Sequence, residues 1–327
     1  MGKNLAGQRV FVTGAAGFIG GHLARRLHAE GAHVIALERR PGSASALAEA
    51  GIEVVQGDIT DHARMAALVG QGVDVVFHAA AWLNGNPRRA AVINVEATRA
   101  LAEASAAAGV HRFVFISTIS VYGPHGDRDV DESTPLTLFG DPYGDTKIEG
   151  ERALQEVAAR TGLAVTIVRP GMVYGPGSRL WTASPARLAR RGLLPLVDDG
   201  EAATHPIYID DLIDLLLLCA TAERAIGGIY NAVDDGPITM RDFPGGYIAM
   251  IPTTRALWLP GWMVHAALRL ANPLVAAHNL SYVADRMTGK GRVSNERAWA
   301  ELGWRPTISL AEGLRRSHAW LRTEGIL

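Results

Sequence analysis

The 327 residues carry 32 lysines and arginines against 33 acidic residues, a formal charge of −1, and 48% of them are hydrophobic. So even a balance gives no electrostatic case for a nucleic-acid surface, and a single cysteine, Cys219, excludes an internal disulfide and a thiolate metal cluster; no metal site is expected. The length suits one large α/β unit or two intimately joined domains.

In chain order, Arg9–Thr13 is a short apolar run predicted as a strand, followed by Gly14-Ala-Ala-Gly17-Phe18-Ile19-Gly20 and a helical pattern through Leu23 and Leu27. Strand, glycine turn and helix together are the context in which such glycines form a dinucleotide site. Gly14 makes the tight turn. Gly17 lets backbone N–H groups, with Phe18 and Ile19 at the helix start, approach a pyrophosphate, and Gly20 lets the helix pack on the sheet. The spacing, GxxGxxG, is one residue wider than the usual fingerprint.

Further apolar runs near 33–38, 52–56, 73–77, 111–117 and 163–169 read as strands, alternating with helices over 17–30, 43–50, 61–69, 87–108 and 142–161. Strict alternation implies an α/β fold, a doubly wound parallel Rossmann sheet covered on both faces. Right-handed crossovers put all strand C-termini, and any ligand, on one edge. Gly14, Glu38, Asp58, the run Ala79, Ala80, Ala81, and Thr118 each follow a predicted strand.

Asp141-Pro142 suits a helix start, Asp141 as N-cap and Pro142 in the first turn. Tyr143 and Lys147, four apart, then lie one above the other. A free phenol, with a pKa of about 10, is a poor proton donor near neutrality, and a neighbouring ammonium stabilises its phenolate. The competing reading is a solvated surface pair. After Arg169-Pro170-Gly171 the rhythm breaks. A helix near 209–221, whose Cys219 reads as a buried core thiol, and a strand near 228–231 precede a mixed segment to 327. Residues 1–170 with 206–235 are assigned to the dinucleotide domain, and 171–205 with 236–327 to a smaller substrate-binding domain. Residues 256–280 are apolar, but His265, Arg269, Asn272 and Pro273 interrupt them, so a transmembrane span is not expected. No charged-then-apolar leader opens the chain, and the expected setting is reduced and cytoplasmic.

Several pieces in order resemble the extended short-chain dehydrogenase/reductase family, in the NAD-dependent epimerase/dehydratase superfamily. They are Thr13–Gly20, Gly57-Asp58-Ile59, His78–Ala81, Asn94-Val-Glu-Ala-Thr98, Ser117–Gly123, Tyr143 with Lys147, Arg169–Gly177 and His205–Asp211. The resemblance implies hydride transfer. Tyr143 is the expected general acid–base, Lys147 tunes it and binds the nicotinamide ribose, and the Thr118 hydroxyl holds the substrate carbonyl oxygen. Ser117 and Ser120 compete with Thr118 for that place. Asn94 corresponds to the family asparagine, with a structural role in its helix as the alternative, and His78 is expected to buttress a turn. Glu38, ending the second strand, is placed to bind ribose hydroxyls and favour NAD, whereas Arg39 and Arg40 could hold the 2′-phosphate of NADP. Asp58 and Ile59 would line the adenine, unless Asp58 only supports its loop. The resemblance also puts Ala79–Ala81, Pro170 and Val173 beside the cofactor.

Three reaction types follow from such membership. Dehydratases of this kind carry Asp-Glu after the active-site Thr, where this chain has Ile119 and Ser120, which argues against dehydration. Sugar-nucleotide enzymes offer an Asn and an Arg where this chain has Met172 and Thr204, though Arg179, Arg286 or Arg292 could compensate. Trp258 and Trp262, with Met263 and neighbouring aliphatics, suggest an apolar substrate contacting Met172 and these tryptophans; the alternative is that they form the core of the smaller domain. The expectation is alcohol–ketone redox on a hydrophobic steroid-, polyketide- or β-keto-acyl-like compound, closest to the 3β-hydroxysteroid dehydrogenase-like and dihydroflavonol-reductase-like branches. A nucleotide-sugar 4-epimerase and a non-catalytic NAD(P)-binding sensor are the alternatives. A homodimer through helices 87–108 and 142–161, and a weak membrane-surface contact of 256–280, are further expectations.

Overall fold

Strand β1 (Arg9–Thr13) lies inside a sheet, and Val10, Phe11 and Val12 are fully buried because helices cover both faces. The computed structural model describes residues 4–83, 86–251, 254–271 and 279–327. From β1 the chain passes through α1 (Phe18–Ala29), β2 (His33–Glu38), α2 (Ser45–Ala48), β3 (Glu53–Gln56), α3 (His62–Val69) and β4 (Val75–His78). Then come α4 (Pro87–Ala91), a π-helical turn (Val92–Glu96), α5 (Ala97–Ala107), β5 (Arg112–Ile116), α6 (Pro142–Thr161) and β6 (Val165–Pro170). Local chemistry sets several boundaries. Asp61 accepts the Arg64 N–H at 2.9 Å at the start of α3, and Asn86 caps α4 with Pro87 in its first turn.

The strand order is β11-β6-β5-β4-β1-β2-β3, with β11 at Ile229–Ala232. Strands β1 to β6 all pair in parallel. The order reverses between β1 and β4, which pair Thr13 with His78, so the crevice that binds ligands in such sheets opens at their C-terminal ends. On one face the core is Phe11, Ile35, Val76, Phe113 and Phe115 of the sheet against Leu68 of α3, Leu101 of α5 and Leu154 of α6. This is the doubly wound fold the alternation predicts. One difference is informative: the helix expected over 87–108 is broken by a π turn at Val92–Glu96, which holds Asn94.

Two units are distinguishable: Met1–Val121, Pro142–Arg169 and Ile213–Tyr230 form the first, and Tyr122–Asp141, Pro170–Leu212 and Asn231–Leu327 the second. The later chain contains β7 (Met172–Tyr174), α7 (Ser184–Arg190), β8 (Leu193–Val197), β9 (Ala203–Thr204), β10 (Pro206–Tyr208), α8 (Ile209–Thr221) and β12 (Ile238–Thr239). It continues with α9 (Gly246–Ala249), β13 (Arg255–Leu259), α10 (Gly261–Ala271), α11 (Leu280–Thr288), α12 (Glu296–Leu302) and α13 (Leu310–Thr323). Strand β13 pairs in parallel with β8, a pairing the apolar run around Trp258 did not announce. Asp211 ties the C-terminal segment down, its carboxylate accepting the Thr307 N–H at 2.8 Å and the Ile308 N–H at 3.1 Å. Cys219 is fully buried, as its leucine-rich context predicts. No described helix is long and apolar enough to cross a membrane; Asn272 and Pro273 lie outside the described residues.

Candidate active site

Helix α6 begins at Pro142 and carries Tyr143, Lys147 and Glu151 at four-residue intervals, one above another. Lys147 is only 1% exposed, which overturns the surface-pair reading. Its ammonium donates to the Ile116 carbonyl at 2.8 Å and sits 3.8 Å from the centre of the Phe115 ring. Burial pulls its pKa from the usual 10.5 down to about 7, with the Glu151 carboxylate opposing. Tyr143 is half-buried one turn earlier. Because Ile116 ends β5, the lysine is brought to the strand end from which Thr118 follows two residues later.

The three hydroxyls differ in what each already bonds. Ser117 donates to Glu151 Oε1 at 2.5 Å, beneath the surface, and Arg169 clasps the same carboxylate through Nε (3.0 Å) and Nη2 (2.6 Å). Both members of this ion pair are 3% exposed. Ser117 is thus committed to structure. Thr118 makes only local bonds, accepting the Ser120 N–H at 3.1 Å and donating to the Ser120 hydroxyl at 3.2 Å. The Ser117–Glu151–Arg169 cluster was not singled out from sequence, although Glu151 continues the Tyr143–Lys147 ladder by one more turn.

Asn94 has a structural position. Its Oδ1 accepts the Trp82 N–H at 2.7 Å, and its Nδ2 donates to the Trp82 carbonyl and the Thr146 hydroxyl, both at 3.0 Å. His78, expected to buttress a turn, is bonded at the ends of β1 and β4. Thr98 donates to the Asn94 carbonyl at 2.9 Å, so it accepts from His78 Nε2 (2.9 Å), leaving Nδ1 to accept from the Thr13 hydroxyl (2.7 Å). Thr13 in turn accepts the Ala80 N–H at 3.2 Å. Burial, with Lys147 adding to it, holds the His78 pKa down to about 3, so the ring is neutral in this relay.

The glycine turn fits a dinucleotide. Gly14 has φ +69° and its missing Cβ would lie 2.8 Å from the Ala79 backbone, while a Cβ on Gly20 would collide with the Gly14 carbonyl. No side chain caps α1 at Gly17, which leaves the first-turn N–H groups of Phe18 and Ile19, both half-buried, without a side-chain partner at Gly17. Glu38 holds the following loop, accepting N–H groups of Gly42 at 3.2 Å and Ala44 at 3.0 Å, and Arg39 and Arg40 are exposed beside it. Asp58 accepts the Thr60 N–H (3.0 Å) and hydroxyl (2.8 Å); burial pushes its pKa up, but these bonds and the Arg39 and Arg89 charges outweigh it and hold it below the usual range. Ile59 is buried in the core, and Ala79–Ala81 form the loop after β4.

In the second unit Pro170, Met172 and Val173 are buried. Thr204 is spent on structure, its hydroxyl donating to the Ile238 carbonyl at 3.0 Å. Trp258 is 45% and Trp262 73% exposed, so the reading of these two as domain core is corrected. Met263 and Leu270 of the same helix as Trp262 are exposed too, whereas Leu194, Leu196 and Val197 of the paired strand β8 are buried.

Two outcomes test this site. Below about pH 7 both the native and unfolded states hold the Lys147 proton, and between that value and 10.5 the unfolded state binds more protons, so stability should rise with pH across that window. Denaturant titrations of the wild type and Lys147→Met should show this rise only in the former; parallel curves would show that burial does not lower the Lys147 pKa. Glu151→Leu or Arg169→Met alone should cost about 3–5 kcal/mol by stranding a buried charge, and the double variant should recover most of it. Additive losses would show that the pair is not coupled.

The chain matches the model of the NAD dependent epimerase/dehydratase family over residues 10–232. It is 33% identical over 251 residues to a 3 beta-hydroxysteroid dehydrogenase/Delta 5-->4-isomerase of Mycobacterium tuberculosis, covering 72% of this chain and 67% of that one. It is 30% identical to a 2-alkyl-3-oxoalkanoate reductase of Stenotrophomonas maltophilia, covering 95% and 98%. Among solved structures, DesIV, a dTDP-glucose 4,6-dehydratase from Streptomyces venezuelae with NAD and TYD bound, superposes with a TM-score of 0.78 at 26% identity, covering 97% of each chain. With the doubly wound sheet, the glycine turn and the Tyr143–Lys147 ladder in place, the chain belongs to the NAD-dependent epimerase/dehydratase family.

Proposed function

We propose that this protein interconverts a secondary alcohol and a ketone on a hydrophobic small molecule, with NAD preferred over NADP. The observation that carries the reading is the Lys147 ammonium fixed on the Ile116 carbonyl at 2.8 Å, one helical turn below Tyr143 and two residues before Thr118. The turn Gly14–Gly20, Glu38, Asp58 and Ala79–Ala81 would hold the dinucleotide. When bound, its nicotinamide supplies or accepts the hydride.

The chain's own residues then handle the proton. Tyr143 gives its phenolic proton to the substrate oxygen in reduction and takes one back in oxidation. The nearby cation lowers the cost of the phenolate. Thr118 orients the oxygen, since Ser117 is bound to Glu151. With Ile119 and Ser120 after Thr118, there is no second acid–base pair there to expel water. The hydrophobic substrate class is supported by the names of the two relatives, by Met172 and Thr204 in place of diphosphate-binding residues, and by the outward apolar surface of Trp258 and Trp262. A nucleotide-sugar epimerase would use the same proton site; tight binding of uridine or thymidine diphosphate would favour it instead.

Following absorbance of the reduced nicotinamide with steroid, polyketide and β-keto-acyl ketones tests the activity. Tyr143→Phe should lower kcat by about 10²–10⁴-fold, with cofactor affinity nearly intact. A near-normal kcat would exclude Tyr143 as the acid–base. Glu38→Ala should move preference towards NADP, whereas an unchanged NAD/NADP ratio would confine Glu38 to supporting its loop.

A further inference from the structure

Helix α10 turns its apolar side chains away from the protein. Gly261 is its one buried residue, although tryptophan, methionine, valine, leucine and alanine fill most of the helix. Trp262, Ala266 and Leu270, four residues apart, form one exposed row, and Met263 and Ala267 form the next. Leu270 is 79% exposed, more than Trp262. The opposite side holds Val264, His265 and Leu268, all half-buried. There His265 reaches α11, its Nε2 3.1 Å from the Thr288 hydroxyl and its Nδ1 4.0 Å from Asp285. A helix on a surface facing water has the reverse distribution, polar side out and apolar side in. Contiguous apolar side chains of this size left in the open mark a docking surface.

Charge indicates what docks there. Between Asp242 and Asp285 the sequence contains no acidic residue, and its formal charges are Arg255 and Arg269. Both arginines are exposed, and among the described residues neither has a carboxylate within ion-pair distance. Arg269 stands seven residues after Trp262, two turns along and in nearly the same direction, so it borders the apolar rows. The acids of the loop after β8 are engaged. Asp198 accepts the Gly261 N–H at 2.6 Å, Asp199 accepts the Glu201 N–H at 3.0 Å, and Glu201 lies 3.7 Å from Arg241. A second copy of this chain would bring further arginines to the seam and no acid from this stretch. An anionic lipid surface answers both features: tryptophan, methionine and leucine enter the boundary between headgroups and acyl chains, and arginine stays with the phosphates.

We propose that α10 lies along an anionic lipid surface, with Trp262, Met263 and Leu270 inserted and Arg269 among the headgroups. At about 16 Å the helix is far too short to span a bilayer, so the contact is confined to one leaflet. The inference stands apart from the hydride-transfer reading, because docking is measured without cofactor or turnover.

The test is co-sedimentation of the intact protein with vesicles of phosphatidylcholine containing phosphatidylglycerol, and with phosphatidylcholine alone. The protein should sediment with the anionic vesicles, and more weakly with the neutral ones. Trp262→Asp and Leu270→Asp should each lower the partition coefficient about tenfold or more. Arg269→Gln should lower it about fivefold, on anionic vesicles only. All three positions are exposed, so the variants should melt with the wild type, which places the loss at the surface. Full recovery of the wild type in the supernatant with both vesicles would overturn the proposal. So would wild-type partition of both aspartate variants. Absence of vesicle binding together with a halved solution mass in Trp262→Asp would instead assign the face to a second copy of the chain.

Discussion

A cation taken out of water and set on a strand-end carbonyl is the constraint from which the first unit follows. An ammonium as buried as that of Lys147 is tolerated only where its protons and charge are answered. Here a backbone carbonyl takes one hydrogen bond, the face of Phe115 takes the charge, and Glu151 lies one turn along the helix. Each of these partners has a fixed place. Ile116 and Phe115 are the last residues of β5, and Glu151 is locked between Ser117 and Arg169. Helix α6 therefore has one register on the sheet. Tyr143 takes its position one turn earlier from that register.

The C-terminal edge of the sheet shows the same economy of polar groups. A relay of buried hydrogen bonds runs from the Ala80 N–H through Thr13, His78 and Thr98 to the Asn94 carbonyl, and Asn94 grips both backbone groups of Trp82. These side chains are all consumed in holding the ends of β1 and β4 and the loop after β4. A neutral histidine suits this work, since a charged one would compete with Lys147 for the same low-dielectric ground. The π turn has its reason here too: it accommodates an additional residue where Asn94 has to face a loop instead of the next helical turn. What remains uncommitted at the edge is little more than the Gly14–Gly20 turn and the locally bonded Thr118.

Periodicity made much of this legible in the sequence. The helices over 142–161 and 209–221 appear as expected because long apolar patterns with a proline or acidic start leave few alternatives. The parallel sheet followed from alternation alone. Pair chemistry was harder. Glu151 and Arg169 are eighteen positions apart, and nothing local marks a charged residue as buried; only its place on the Tyr143 face hints at it. The π turn leaves no composition signal, being driven by the tertiary partner of Asn94. For the tryptophans it is the alternative reading, as domain core, that their exposure overturns. An apolar stretch reads as core by default, and exposure of Trp262 depends on how many layers pack over α10, which no local pattern encodes.

The chemistry and the choice of substrate therefore rest on different kinds of residue. A single phenol with its cation can move one proton, which suffices for alcohol–ketone redox and for epimerisation through a ketone, but not for expelling water between Ile119 and Ser120. Within that limit, specificity falls to groups that hold the rest of the substrate. Thr204 has turned its hydroxyl to the Ile238 carbonyl, so it offers nothing to a diphosphate.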